Sequence, residues 1–186
     1  MSEPADTPDT IAPYDIIPDD KDWTWVLEER CPDCGFDAAG LDVTKTGDAV
    51  RANAATWAEV LRRADATQRP DPTTWSPLEY ACHVRDVFRL FSTRLALMLN
   101  EDDPLFANWD QDATAVAERY GEQDPAVVSA ELVAAADTVA AGFDAVAGDQ
   151  WQRVGRRSDG AAFTVDSFAR YFLHDPEHHL ADVGAG

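Results

Sequence analysis

Between about residue 45 and residue 184 the apolar positions recur with a helical rhythm. From about Gly47 to Ala64, the residues Val50, Ala54, Trp57, Leu61 and Ala64 follow at 4-3-4-3 spacing, the seam of a helix packed in a bundle. Thr46 or Asp48 is placed to cap it, and the prolines of QRPDP stop it. A second helix opens at WSPLEY. Ser76 is its N-cap, Pro77 suits the first turn, and Glu79 completes a capping box. Its stripe is Val84, Val87, Phe88, Phe91, Leu95 and Met98, and it runs to about Asn100 before EDDP breaks it. Residues 101–124, with FANWDQDATAVAERY, read as a loop holding a short helical turn or two. A third long helix spans about Asp124 to Ala147, with Val128, Leu132, Ala135, Val139 and Val146 inward and Pro125 at its start. The Asp159-Gly160 pair between short apolar runs predicts a small hairpin. The fourth helix begins near Val165 or Asp166. The expected fold is therefore all-α, a four-helix bundle with a small hairpin before the last helix. Residues 1–44 form an N-terminal arm. Its first 20 or so residues are expected to be flexible or loosely docked, and DWTWVLEERCPDCGFDA is apolar enough to pack on the bundle domain of residues 45–186.

Charge narrows the partners. The 186 residues carry a formal charge of −20, which repels phosphate backbones and anionic membranes, so neither nucleic acid nor a membrane surface is an expected partner. No apolar run approaches the length of a membrane span. The N-terminus, MSEPADTPDTIAPYD, shows no charged segment followed by an apolar one, and a cytoplasmic location is the expectation. Three cysteines, an odd number, argue against a disulfide framework.

The chemistry concentrates in YFLHDPEHHLADV. His174 and His178 stand four apart, so on a helix they point the same way, the geometry of helical metal-ligand pairs. The spacing leaves a second reading open, in which these are helix histidines that are exposed or bonded to Asp175 or Glu177. Pro176 also threatens to kink the helix between them. His83, beside the stripe of the second helix, could bring a third imidazole if the second and fourth helices are neighbours. Three imidazoles would leave a coordination position open for water or substrate.

The order of His83 in WSPLEYACHVRDV, a DG turn and a C-terminal HDPEHH resembles the DinB-like superfamily, over about residues 45 to 184. That superfamily includes thiol-dependent bacterial transferases and mycothiol-dependent maleylpyruvate isomerase. The most specific parts are Trp75, Glu79 and His83 at four-residue spacing and the later HxxxH. The resemblance implies a four-helix bundle holding a divalent metal on His83, His174 and His178, with His179 outside the ligand set. Zn²⁺ is the expected ion, with Ni, Fe or Mn as alternatives. It further implies a transferase that uses a low-molecular-weight thiol, of the mycothiol or bacillithiol type, on a small electrophile. A metal-dependent hydrolase and a non-catalytic metal- or ligand-binding protein are the competing uses of the same site. The isomerase carries a further domain after the fourth helix, and here the sequence stops at Gly186, so maleylpyruvate is not the expected substrate.

Asp86 and Asp175 are candidates to orient the imidazoles, or else belong to a solvated acidic surface. Tyr171 shares the face of the histidine pair, and Trp109, in WDQDA, lies in a loop able to line a pocket. Arg156 and Arg157 on the hairpin either meet an anionic substrate or lie on the surface. CPDCGF, with Cys31 and Cys34, looks like one knuckle of a zinc ribbon whose partner knuckle is missing. A second chain supplying that knuckle would make a homodimer. A redox pair is another reading, and a tight turn with reduced thiols is the expected one. Cys82 is expected to be a small core residue.

Overall fold

The computed structural model describes Ile16, Ile17 and residues 21–186, so most of the stretch read as a loosely docked arm lies outside the described residues. Four long helices make the bundle: α1 (Thr46–Val60), α2 (Pro77–Asn100), α4 (Pro125–Asp144) and α5 (Val165–Asp182). A short α3 (Gln111–Ala117) lies in the connection after α2, and the hairpin strands β1 (Val154–Arg156) and β2 (Ala162–Thr164) precede α5. α4 packs on α1 and α2, and α5 packs on the same two helices, so the order around the bundle is α1, α4, α2, α5.

Local sequence explains most of the boundaries. Ser76 accepts from Glu79 N at 3.3 Å while Glu79 Oε2 accepts from Ser76 N at 2.8 Å, closing the box that starts α2. Asp124 caps α4 through Ala126 N at 2.8 Å, and Thr164 caps α5 through Ser167 N at 3.1 Å. α1 departs from expectation at both ends. Neither Thr46 nor Asp48 caps it: Thr46 is its first residue and donates its hydroxyl to Val43 O at 2.7 Å. It stops at Val60, because Arg62 N and Arg63 N turn back to the carbonyls of Glu59 and Val60. Ala64 is then exposed and Ala66 takes the buried place. α4 likewise ends at Asp144, three residues early, although Val146 stays buried.

The core runs the length of the bundle and is aromatic beneath α5. Phe172, fully buried, stacks on Phe91 at 4.7 Å and Phe143 at 5.6 Å and meets Phe88 edge-on at 5.9 Å. The hairpin pairs Val154 with Thr164 and Arg156 with Ala162. The loop after α2 adds an edge to it through Phe106 N to Arg156 O at 2.7 Å. Gly155 lets that edge close, since a Cβ there would lie 2.7 Å from the Phe106 ring and 2.8 Å from Met98 Cγ.

α4 corrects the expectation about apolar runs: by length and composition alone its 20 residues could cross a membrane. Its apolar side is taken up by the bundle, with Val128, Leu132, Val139 and Phe143 buried. α5 continues through Pro176, which is itself buried, so the four-residue spacing of its histidines is intact.

Candidate metal centre

The turn of α5 from His174 to Asp182 presents two pairs at the same spacing, His174 with His178 and Asp175 with His179. Adjacent residues on a helix point about 100° apart, so the two pairs look in different directions. The second pair faces α2. His83 Nε2 lies 3.4 Å from Asp175 Oδ1, and His179 Nε2 lies 3.9 Å from the same oxygen. The first pair faces the segment before α1 and meets Cys31 and Cys34. The structure therefore does not bring His83 together with His174 and His178. It sorts the histidines into His83, Asp175 and His179 on one side and Cys31, Cys34, His174 and His178 on the other.

The first group fits a divalent cation. Its donor atoms lie within 4.8 Å of one another. In a tetrahedral shell with bonds of ~2.0–2.2 Å, neighbouring donors sit about 3.4 Å apart, close to the separations seen here. His83 is 1 % exposed. Buried Asp175 Oδ1 has no hydrogen-bond partner, an orphan that a cation would satisfy. Burial raises the Asp175 carboxyl, but the surrounding imidazoles, His83 first and then His179 and His174, together outweigh it and bring the pKa down to about 2. Asp175 is thus placed as a candidate ligand rather than only as a residue that orients imidazoles, and His179 joins the set from which it had been left out. Asp182 takes the orienting role: its Oδ2 lies 2.8 Å from His179 Nδ1, which turns Nε2 toward Asp175. Asp86 does not approach an imidazole. It accepts from Tyr120 Oη at 2.6 Å and from Arg85 Nε at 2.9 Å, tying α2 to the loop before α4.

Asp175 and His179 of this group line a cavity of about 840 Å³, which His174 and His178 of the other group also border. Trp109 lines it and lies parallel to His83 at 5.5 Å between ring centres. Tyr171 lines it too, and its hydroxyl accepts from Arg157 Nη1 at 2.8 Å. Arg157 is held by Asp159 and faces the cavity, whereas Arg156 points outward to Asp103 at 3.0 Å. Arg94, 9 % exposed, adds a second guanidinium to the lining; it donates to Ala107 O at 3.1 Å, and its Nε has no partner.

The second group is more deeply covered. Cys31 is fully buried and His174 is 4 % exposed. Burial, reinforced by His178, lowers the His174 pKa to about 4, so the ring is a neutral donor near pH 7. Cys82, fully buried at 0 % exposure, is the core residue expected, its thiol pushed up to about 12 by burial.

The family model of the DinB superfamily matches residues 46–183. This chain belongs to the DinB superfamily. A solved member-like fold, YfiT from Bacillus subtilis, superposes with a TM-score of 0.67 over 75 % of this chain and 82 % of its own, at 17 % identity. That protein is described as a probable metal-dependent hydrolase with an unusual four-helix bundle topology, and at this identity the likeness establishes the fold. No curated protein matches the chain. Within the DinB bundle, the signal that the pair reading missed was Asp175-x-x-x-His179, which has the same spacing as the HxxxH beside it.

Proposed function

We propose that this chain is a divalent-metal-dependent enzyme of the cytoplasm that joins a low-molecular-weight thiol, of the mycothiol or bacillithiol type, to a small electrophile. The observation that carries the reading is the meeting of buried His83 with Asp175 and His179, two residues that line the cavity. Three protein donors leave a position open, the layout of catalytic rather than structural zinc. The bound ion, Zn²⁺ first and Ni, Fe or Mn otherwise, would supply the charge that keeps a thiol in its nucleophilic thiolate form at neutral pH.

The chain's own residues do the rest. Asp182 holds His179 in one tautomer and orientation. Arg94 and Arg157 offer guanidinium donors to a carboxylate on either reactant. Trp23, Trp109 and Tyr171 give flat apolar walls for a reactant to lie against. A cavity of about 840 Å³ stands toward the upper end of the ~300–1,000 Å³ typical of ligand pockets, which leaves room for two small reactants.

A second reading, hydrolysis with water in place of the thiol, is favoured by the two-imidazole, one-carboxylate donor set and by the description of the YfiT protein. The test is turnover of 1-chloro-2,4-dinitrobenzene by tag-free, zinc-loaded protein, with and without mycothiol or bacillithiol, beside hydrolysis of a nitrophenyl ester. Thiol-dependent turnover that His83→Ala and Asp175→Asn abolish is expected. Ester hydrolysis with no thiol requirement would transfer the assignment to the second reading. Full metal loading with no turnover of either kind would make the chain a metal-binding or ligand-binding protein.

A further inference from the structure

We propose that Cys31, Cys34, His174 and His178 form a second metal site, a closed Cys₂His₂ shell for a zinc-like cation that fastens the segment before α1 to α5. The partner that the CPDC knuckle lacked in sequence is the histidine pair, supplied by the same chain. One donor atom from each of the four lies within 4.8 Å of the others. With Zn–S near 2.3 Å and Zn–N near 2.0–2.1 Å, a sulfur and a nitrogen in a tetrahedral shell stand about 3.6 Å apart. Cys31 Sγ and His178 Nδ1 are 3.7 Å apart.

The knuckle has its geometry before any ion is considered. Gly35 adopts φ 78°, where a side chain is strained, and its N–H bonds Cys31 O at 2.8 Å. Cys31 N in turn bonds Phe36 O at 2.8 Å, so the loop wraps around the two sulfurs. Spacings of two residues between the cysteines and three between the histidines lie within those of structural zinc sites.

Three further observations point to a ligand rather than to a turn with spare thiols. His174 Nε2 is buried with no hydrogen-bond partner, and the three cysteines are free. The cluster is roofed by aromatic rings: Trp23 lies 5.1 Å from the His174 ring and 4.9 Å from His178, and Phe36 meets His174 edge-on at 5.4 Å. Asp182 Oδ1 stands 3.8 Å behind His178 Nε2, leaving Nδ1 directed at Cys31. Two thiolates and two neutral imidazoles compensate a doubly charged cation, and four protein donors complete a tetrahedral shell on the side of the cavity where His174 and His178 lie. This is the chemistry of a structural site, and it does not depend on the activity proposed for the His83 group.

The deciding experiment is reconstitution of the full, tag-free chain with Co²⁺, followed by absorption spectroscopy and by zinc content. The wild type is expected to show a thiolate-to-cobalt charge-transfer band with tetrahedral d–d bands, and to hold about two equivalents of zinc. Cys31→Ser with Cys34→Ser removes the charge-transfer band and about one equivalent. His83→Ala removes the other equivalent and leaves the band. Absence of the band in the wild type, its persistence in the double serine variant, or a Cys31–Cys34 disulfide in protein purified without oxygen would overturn the proposal. The wild-type spectrum decides even if the serine variants fail to fold. A wild-type band with no equivalent lost in His83→Ala would sink the catalytic site alone.

Discussion

Asp182→Asn separates the two groups on α5 by a single atom's charge. One carboxylate oxygen lies 2.8 Å from His179 Nδ1, inside the range of a charge-assisted hydrogen bond. The other is 3.8 Å from His178 Nε2, too long for a hydrogen bond and only an electrostatic neighbour. Burial raises the Asp182 carboxyl, but the hydrogen bond from His179 outweighs it and keeps the group ionised. Loss of such an orienting partner typically weakens a metal site about 10–100-fold, or about 1.4–2.8 kcal/mol. Asparagine retains an acceptor oxygen, so Asp182→Asn belongs at the ~10-fold end and Asp182→Ala near ~100-fold. The Cys/His group, with two thiolates and only the long contact to Asp182, should weaken by less than ~10-fold. Zinc competition with a chromogenic chelator measures both, and the double serine background isolates the His83 site. Unchanged affinity at that site, or an equal loss at both, would refute the assignment of Asp182 as the residue that aims His179.

Two further predictions concern the scaffold. Phe172→Ala removes a fully buried ring stacked between Phe91 and Phe143, and should cost about 3–5 kcal/mol in urea denaturation; a loss below about 1 kcal/mol would mean that the three rings do not pack as described. Burial raises the Glu79 carboxyl, but hydrogen bonds from Arg69 at 2.9 Å and from Ser76 outweigh it and depress the folded-state pKa. The stability this contributes is present above the unfolded carboxyl pKa and is lost as pH falls through the folded one. Glu79→Gln should therefore melt below wild type at about pH 6, with the gap closing toward about pH 3; a gap that is constant with pH would contradict the linkage.

What could be read from the chain alone was what local rules determine. The capping box at Ser76, the proline starts of α2 and α4, and the seams through Trp57 and Phe88 are set by residues within a turn or two of one another. The site was legible as a place and not as a ligand set. HDPEHH contains His174/His178 and Asp175/His179 at identical spacing, and only the rotation of α5 against α2 decides which pair meets His83. That rotation is set by Phe168 and Phe172 packing into the core, a tertiary fact. The CPDC knuckle looked incomplete because its complement lies 147 residues from Cys31. Trp109 and Tyr171, expected near a pocket, both line the cavity; Arg94 was missed because an arginine beside an apolar stripe reads as a helix surface.

The cavity wall divides into two inheritances. Its donors and most of its floor come from residues 46–183, the stretch shared with the DinB superfamily. Ile16, Ile17, Lys21 and Trp23, which close another side, come from the segment before it. On the proposed reading, the helices hold the ion while the leading segment, which lies outside the family match, shapes the entrance, so changes at Ile17 or Trp23 would alter what is admitted without moving a donor on α2 or α5.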